Sequence, residues 1–400
     1  MELTLKGSVR KARVHLIFFL LLSGFAAGTG YTVESQATTE ATNATSLKPL
    51  ASVVSSARWQ QIEESVDRAL SWLAAQQAAD GSFPTLQQGQ PAVTSLCVLA
   101  FLSRGHQPGL GPYGQRISRA IDFVLSCQQS NGLICYAIPG PAHEDKEPSH
   151  TAVYNHAIAG LMLGECFGHV REPTATKTRN AIEKALQFSR ELQTRPKSHA
   201  NDKGGWRYLH LRFGPDAVDS DLSVTGWQLM FLRSVKNAEF KVPQAYIDEA
   251  MAYVHRCWEE PIQMFNYSAG PSDRRTSRGI VGVGILSLSM AGQHQTPIAK
   301  AAGDWLLAHP FGGSEDIIGE GDRFFYSAYY CSQAMAQLGG RYWEGFFPAL
   351  ANALLKSQRA NGSWPSEPSH GDSIFGNALT TAMAVLSLTP PYQLLPVYQR

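Results

Sequence analysis

Asp219 and Asp221 stand one residue apart in VDSDLSVTGW, where an apolar run of helical period begins. Two carboxylates at a helix head admit three kinds of chemistry. One can donate a proton, if burial and its neighbour set its protonation. Both can offer oxygen ligands to calcium or magnesium, although two carboxylates are too few to make a site. Either, like Ser223 beside them, can cap the helix by accepting backbone N–H bonds where the helix dipole favours negative charge. Capping is the favoured reading and is compatible with ligand contact, so Asp221 and Asp219 stand as candidate catalytic acids.

Three more apolar runs begin with groups able to bind a ligand: His150, Tyr154 and His156 in HTAVYNH, Arg275 and Arg278 in RRTSRG, and Tyr326, Tyr329 and Tyr330 in FYSAYY. Aromatic rings with a few convergent polar groups suit an apolar or sugar-like ligand. Each histidine also reads as an ordinary hydrogen-bonded packing residue, because no HxxxH or HExxH pattern accompanies it. Arg275 reads as a loop charge or as part of an anion site. No metal site and no cofactor are expected.

The elements that must position these groups come from an internal repeat. ALSWLAAQQAADGSFP, AIDFVLSCQQSNGLICY and LANALLKSQRANGSWP each place an amphipathic run before glutamine, glycine and an aromatic or aliphatic residue, and three weaker copies bring the total to six. A second run follows each copy and is apolar on nearly all sides, as in RGIVGVGILSLSMAG and NALTTAMAVLSLT. Striped helices suit an outer position, and helices rich in Gly, Ala and Ser suit an inner one. The expected fold is all-α: an α/α toroid of six outer and six inner helices over residues 58–400. In such a toroid the starts of all inner helices face one mouth, which gathers the candidates around Asp221.

The chain has 400 residues, of which 44% are hydrophobic and 17% charged, with a net charge of +1. That is ample for a core, and it offers no basic surface for nucleic acid. Residues 1–30 carry a basic stretch before a short apolar run ending in small residues, the pattern of an export signal, with an uncleaved membrane anchor as the alternative. Residues 31–57, rich in Thr, Ser and Ala, read as a flexible linker. The expected location is therefore periplasmic or extracellular, with membrane contact only through the N-terminal segment. The six cysteines are scattered without CxxC spacing, which argues against a zinc knuckle. Cys127 and Cys135 flank a turn and can pair in an oxidising compartment.

Gln358 and Trp364 in SQRANGSWP stand at QxxxGxW spacing, with Gln77 and Phe83 as a variant. On this motif the chain resembles the squalene cyclase and protein prenyltransferase superfamily of α/α toroids. GGWRY, DSDLSVTGWQLMFLRS, YNHAIAGLMLGE, FFYSAYYCSQAMAQLGGRYWE and the ending LLPVYQR resemble bacterial exported proteins with prenyltransferase and squalene oxidase repeats. The resemblance implies a toroid more firmly than an activity.

Laid on the cyclases' DxDD acid motif, Asp219 and Asp221 match the first two acids, and Leu222 stands in place of the third. Laid on the zinc ligands of prenyltransferases, Asp221 replaces a cysteine and Ser327 a histidine. Neither machinery is intact. The resemblance implies an exported toroid that binds an apolar lipid, a glycan or a protein at its mouth. The alternative is an active cyclase-like enzyme with Asp221 as its acid.

Overall fold

The computed structural model of the chain describes residues 49–140, 148–210, 217–270, 273–312, 322–367 and 374–399. Among them, twelve α-helices alternate between two rings. The outer helices are α1 (Ser56–Gln76), α3 (Gly114–Ser126), α5 (Thr174–Thr194), α7 (Gln244–Arg256), α9 (Pro297–Ala308) and α11 (Gly340–Ser357). The inner helices are α2 (Ala92–Ser103), α4 (Pro148–Cys166), α6 (Leu222–Asn237), α8 (Arg278–Met290), α10 (Phe324–Leu338) and α12 (Gly376–Leu388). Each inner helix packs on the next, and α12 returns to α2, so the inner ring closes. The fold is the expected all-α toroid.

Sequence character sorts the two rings. In α3 only one stripe is covered, with Ile117, Ala120, Ile121, Phe123 and Val124 buried, whereas every residue of α2 is buried. Inner helices come close where side chains are small. A Cβ on Gly282 of α8 would lie 2.9 Å from the backbone nitrogen of Cys331 on α10, so glycine is what permits that crossing.

The glutamine repeat stitches the rings together. Gln77, Gln128, Gln193 and Gln358 each donate from Nε2 to a glycine carbonyl four or more residues ahead and to a carbonyl on the next outer helix. For Gln358 that second carbonyl belongs to Ser65 on α1, at 2.9 Å, so the last repeat is tied to the first. The glycine that follows takes positive φ, +92° at Gly132, and a Cβ there would lie 2.5 Å from Lys184 O.

Two residues on from the glycine, a backbone N–H then reaches an inner helix. Phe83, Trp206 and Trp364 donate to Thr94, Thr225 and Thr381, and Ile134 donates to His156 Nδ1. After α7 the turn is replaced by a two-stranded antiparallel hairpin, β1 (Trp258–Glu259) and β2 (Met264–Phe265).

The structured domain starts before residue 58. A 3₁₀ turn at Leu50–Val53 precedes α1, whose Ser55 cap accepts from Arg58 N. Trp343 Nε1 of α11 donates to Leu50 O at 2.8 Å. Residues 49–57 of the expected linker are thus held on the domain, because a buried indole N–H takes its partner from them. The expected signal segment, 1–30, and the rest of the linker lie outside the described residues. Among the described residues no helix is long and apolar enough to cross a membrane.

Candidate functional site

Asp221 is the N-cap of α6, with extended backbone (φ −136°, ψ 156°), and its Oδ1 accepts from Val224 N at 2.8 Å. Two other segments are pinned to this point. Asp221 N donates to Trp206 O at 2.9 Å and Leu222 N donates to Tyr267 O at 2.8 Å. Trp206 pairs with Asp221 in an antiparallel bridge with its indole buried, and Arg207, the next residue, turns toward the carboxylate. Its Nη1 stands 3.5 Å from Asp221 Oδ2. Among the described residues neither atom has a hydrogen-bond partner.

Burial is the main influence on Asp221 and pushes its carboxyl up to about 6, against the pull of the Arg207 charge, the Val224 amide and the Tyr267 hydroxyl. The Arg207 guanidinium lies over the rings of Tyr208, at 4.6 Å, and Tyr267, at 5.4 Å. The two phenols meet at 3.1 Å. His150 packs on Tyr208 with ring centroids 3.8 Å apart. Arg275 lies over the outer face of Tyr267 and is held by Asp273 through two bonds of 2.6 and 2.9 Å.

A second group adjoins through Ser223. Tyr154 donates to its hydroxyl at 3.1 Å, and the Tyr326 hydroxyl meets it at 2.7 Å. Tyr326 then packs on Tyr330, at 4.8 Å, and Tyr330 on Trp227, at 5.2 Å. The buried Tyr330 hydroxyl has no hydrogen-bond partner among the described residues. Burial, reinforced by the Asp221 charge, pushes the Tyr154 and Tyr267 phenols well up, so both remain neutral hydrogen-bonding groups.

Asp221, His150, Tyr154, Arg275, Tyr326 and Tyr330 are therefore brought together in one cluster around the head of α6. Four other candidates are directed elsewhere. Asp219 Oδ2 accepts from Ser198 N at 2.6 Å, and its own N–H donates to Asp202 Oδ2, so this carboxylate organises the 198–202 loop rather than joining Asp221. His156 faces α5: Nδ1 accepts from Ile134 N, and Nε2 therefore carries the proton toward Ala185 O at 3.2 Å. Its burial lowers its pKa to about 4, which makes it a neutral substitute for the threonine of other repeats.

Arg278 is fully buried and bonds Asp322 and Pro310 O, which binds α8 to the segment before α10. Tyr329 stacks on Trp227 at 5.4 Å but sends its hydroxyl to Tyr398, at 2.5 Å, toward the other end of the ring. Sequence reasoning missed Arg207, Tyr208 and Tyr267. The first two lie in GGWRY, which carried a resemblance and no site residue.

No protein-family model matches the chain, and no curated protein matches it. Among solved structures, a point variant of the type II terpene cyclase MstE from Scytonema, in complex with geranylgeranyl dihydroxybenzoate, is similar at a TM-score of 0.54 and 14% identity, over 85% of this chain and 99% of that one. A glycosidase variant in complex with glucose is similar at 0.55 and 12%, over 86% and 100%. A protein from Actinoplanes is similar at 0.51 and 17%, over 83% and 99%. The chain thus has the α/α toroid fold that type II terpene cyclases and glycosidases share.

Proposed function

We propose that this toroid is an exported binding protein whose mouth takes a hydroxyl-rich ligand, with a glycan as its class. The observation that carries the reading is the facing pair Asp221 Oδ2 and Arg207 Nη1, largely withdrawn from water and without hydrogen bonds. Such atoms are costly to leave unmade. A ligand hydroxyl satisfies both at once, donating to the carboxylate and accepting from the guanidinium. A hydrocarbon laid over them would leave both without a hydrogen bond. The half-buried rings of Tyr154 and Tyr326, joined through Ser223, supply apolar surface for the carbon skeleton of a sugar.

A second reading is favoured by one observation. A carboxyl raised to about 6 is protonated often enough below neutrality to donate a proton, as an acid acting on an isoprenoid would. Arg207 opposes this role by favouring the carboxylate.

Native mass spectrometry of the chain against neutral oligosaccharides and against isoprenoid alcohols separates the readings. Saccharide adducts that vanish in Arg207→Ala and weaken in Asp221→Asn are expected. Conversion of an isoprenoid by the wild type, lost in Asp221→Asn with folding intact, would replace the binding reading with the enzymatic one.

A further inference from the structure

Cys127 caps the end of α3, and Cys135 lies across the turn that follows. Gln128 and Ile134 form an antiparallel bridge, flanked by the bonds Cys135 N to Cys127 O at 3.2 Å and Gln129 N to Leu133 O at 2.7 Å. Cys127, which ends α3 in helical conformation with its own N–H on Val124 O, faces Cys135 across the first of these bonds, a single one beside the bridge. Residues opposed across an antiparallel bridge have Cα atoms about 4.5–5.5 Å apart. Disulfides span Cα separations of about 4.4–6.8 Å. Both side chains are buried, at 3% and 1% exposure, and Cys135 is near enough to raise the Cys127 pKa.

We propose that Cys127 and Cys135 form a disulfide that locks the turn between α3 and α4. The turn it closes seats Gly132 on α5 and presents Ile134 N–H to His156, so the bond would fix the seam between the second and third repeats. Cys97 lies against Ala378 O, Cys166 against Met162 and Cys331 against Arg278 O, while the Cys127 thiol rests on Phe123 O at 3.3 Å within the end of α3. Burial pushes Cys127 and Cys135 up to about 12, so in the folded chain they react slowly, and the bond forms chiefly while the turn is still assembling.

The oxidant is a disulfide of the glutathione class. One thiolate attacks it and expels a thiol, and the second thiolate then displaces the mixed disulfide. Two cysteine protons and two electrons leave the chain, and one oxidant disulfide becomes two thiols.

The test is to refold the reduced full-length chain in mixed oxidised and reduced glutathione, quench with acid, alkylate in denaturant without reductant, and map peptides by mass. Alkylatable cysteines should fall from six to four, with one linked peptide pair containing Cys127 and Cys135. Cys135→Ser should keep all its thiols. The folded chain left in oxidised glutathione should reach the same link more slowly, which keeps the test independent of the variant and of refolding. Retention of all six thiols under both conditions, or a link through any other cysteine, would overturn the proposal.

Discussion

Arg207 Nη1 and Asp221 Oδ2 face each other across 3.5 Å, and neither atom has a hydrogen bond among the described residues. The two are held there by different elements, Asp221 by its cap on α6 and Arg207 by the segment bridged to it at Trp206. An ion pair this withdrawn gains little unless its remaining valences are met. Under the proposed function, a ligand hydroxyl meets them.

Asp221→Asn keeps an oxygen for the Val224 amide but removes the charge. The folded carboxyl is raised from 3.8 to about 6, so its favourable contribution is complete below the unfolded value and is lost as pH rises through 6. At pH 7 the wild type therefore carries a penalty of up to roughly 3 kcal/mol. Urea unfolding between pH 4 and 8 should show the variant gaining on the wild type as pH rises. A difference that does not change with pH would show that burial does not perturb this carboxyl.

Arg207→Met should destabilise the chain by about 3–5 kcal/mol at neutral pH, because it leaves a buried carboxylate without its partner. Adding Asp221→Asn should recover much of that loss. The double-mutant cycle measures the coupling, and strictly additive losses would mean that the two groups do not interact.

His156 predicts the opposite pH trend. Its pKa falls from 6.5 to about 4 on folding, so its contribution is full above 6.5 and is lost as pH drops toward 4, by up to roughly 3 kcal/mol. His156→Thr, which copies the other repeats, should be less stable at pH 7 through lost packing yet lose less on acidification. Parallel pH profiles for the two proteins would contradict the buried neutral imidazole.

Trp364 is fully buried, and its Nε1 donates to Leu354 O at 2.9 Å. Trp364→Ala should cost about 3–5 kcal/mol in chemical denaturation. A loss below about 1 kcal/mol would place the ring outside the core.

Gln358→Ala should cost about 1–3 kcal/mol by removing the bonds from the last repeat to Ser65 and Arg68 on α1. Hydrogen exchange should rise first in α1 and α11, where the ring is sealed, and uniform acceleration through all helices would argue against a local seam.

Much of the fold was legible because its rules are local. Glutamine, glycine and an apolar residue recur at set spacing after amphipathic runs, and each acts within a few residues of itself, so six helix pairs could be read from the chain. Asp221 as a cap was legible for the same reason, since the residue before a helix needs only its own side chain to reach Val224 N. Part of the mouth was legible through periodicity: Tyr326 and Tyr330 are four apart and share a face, while Tyr154 and His156, two apart and about 200° round the helix, cannot.

The divergence of Asp219 from Asp221 was not legible, because it depends on Ser198 and Asp202, roughly twenty positions away in the chain. Nor was the place of Arg207, which is set by a bridge to Asp221 and by Tyr267 from the following hairpin. The proton affinity of Asp221 comes from burial and from these same distant partners. Residue type and spacing encode what the backbone does over one turn. Only closure of the ring brings residues 207, 221, 267 and 326 into one cluster and withdraws water from them, and its electrostatics arise there.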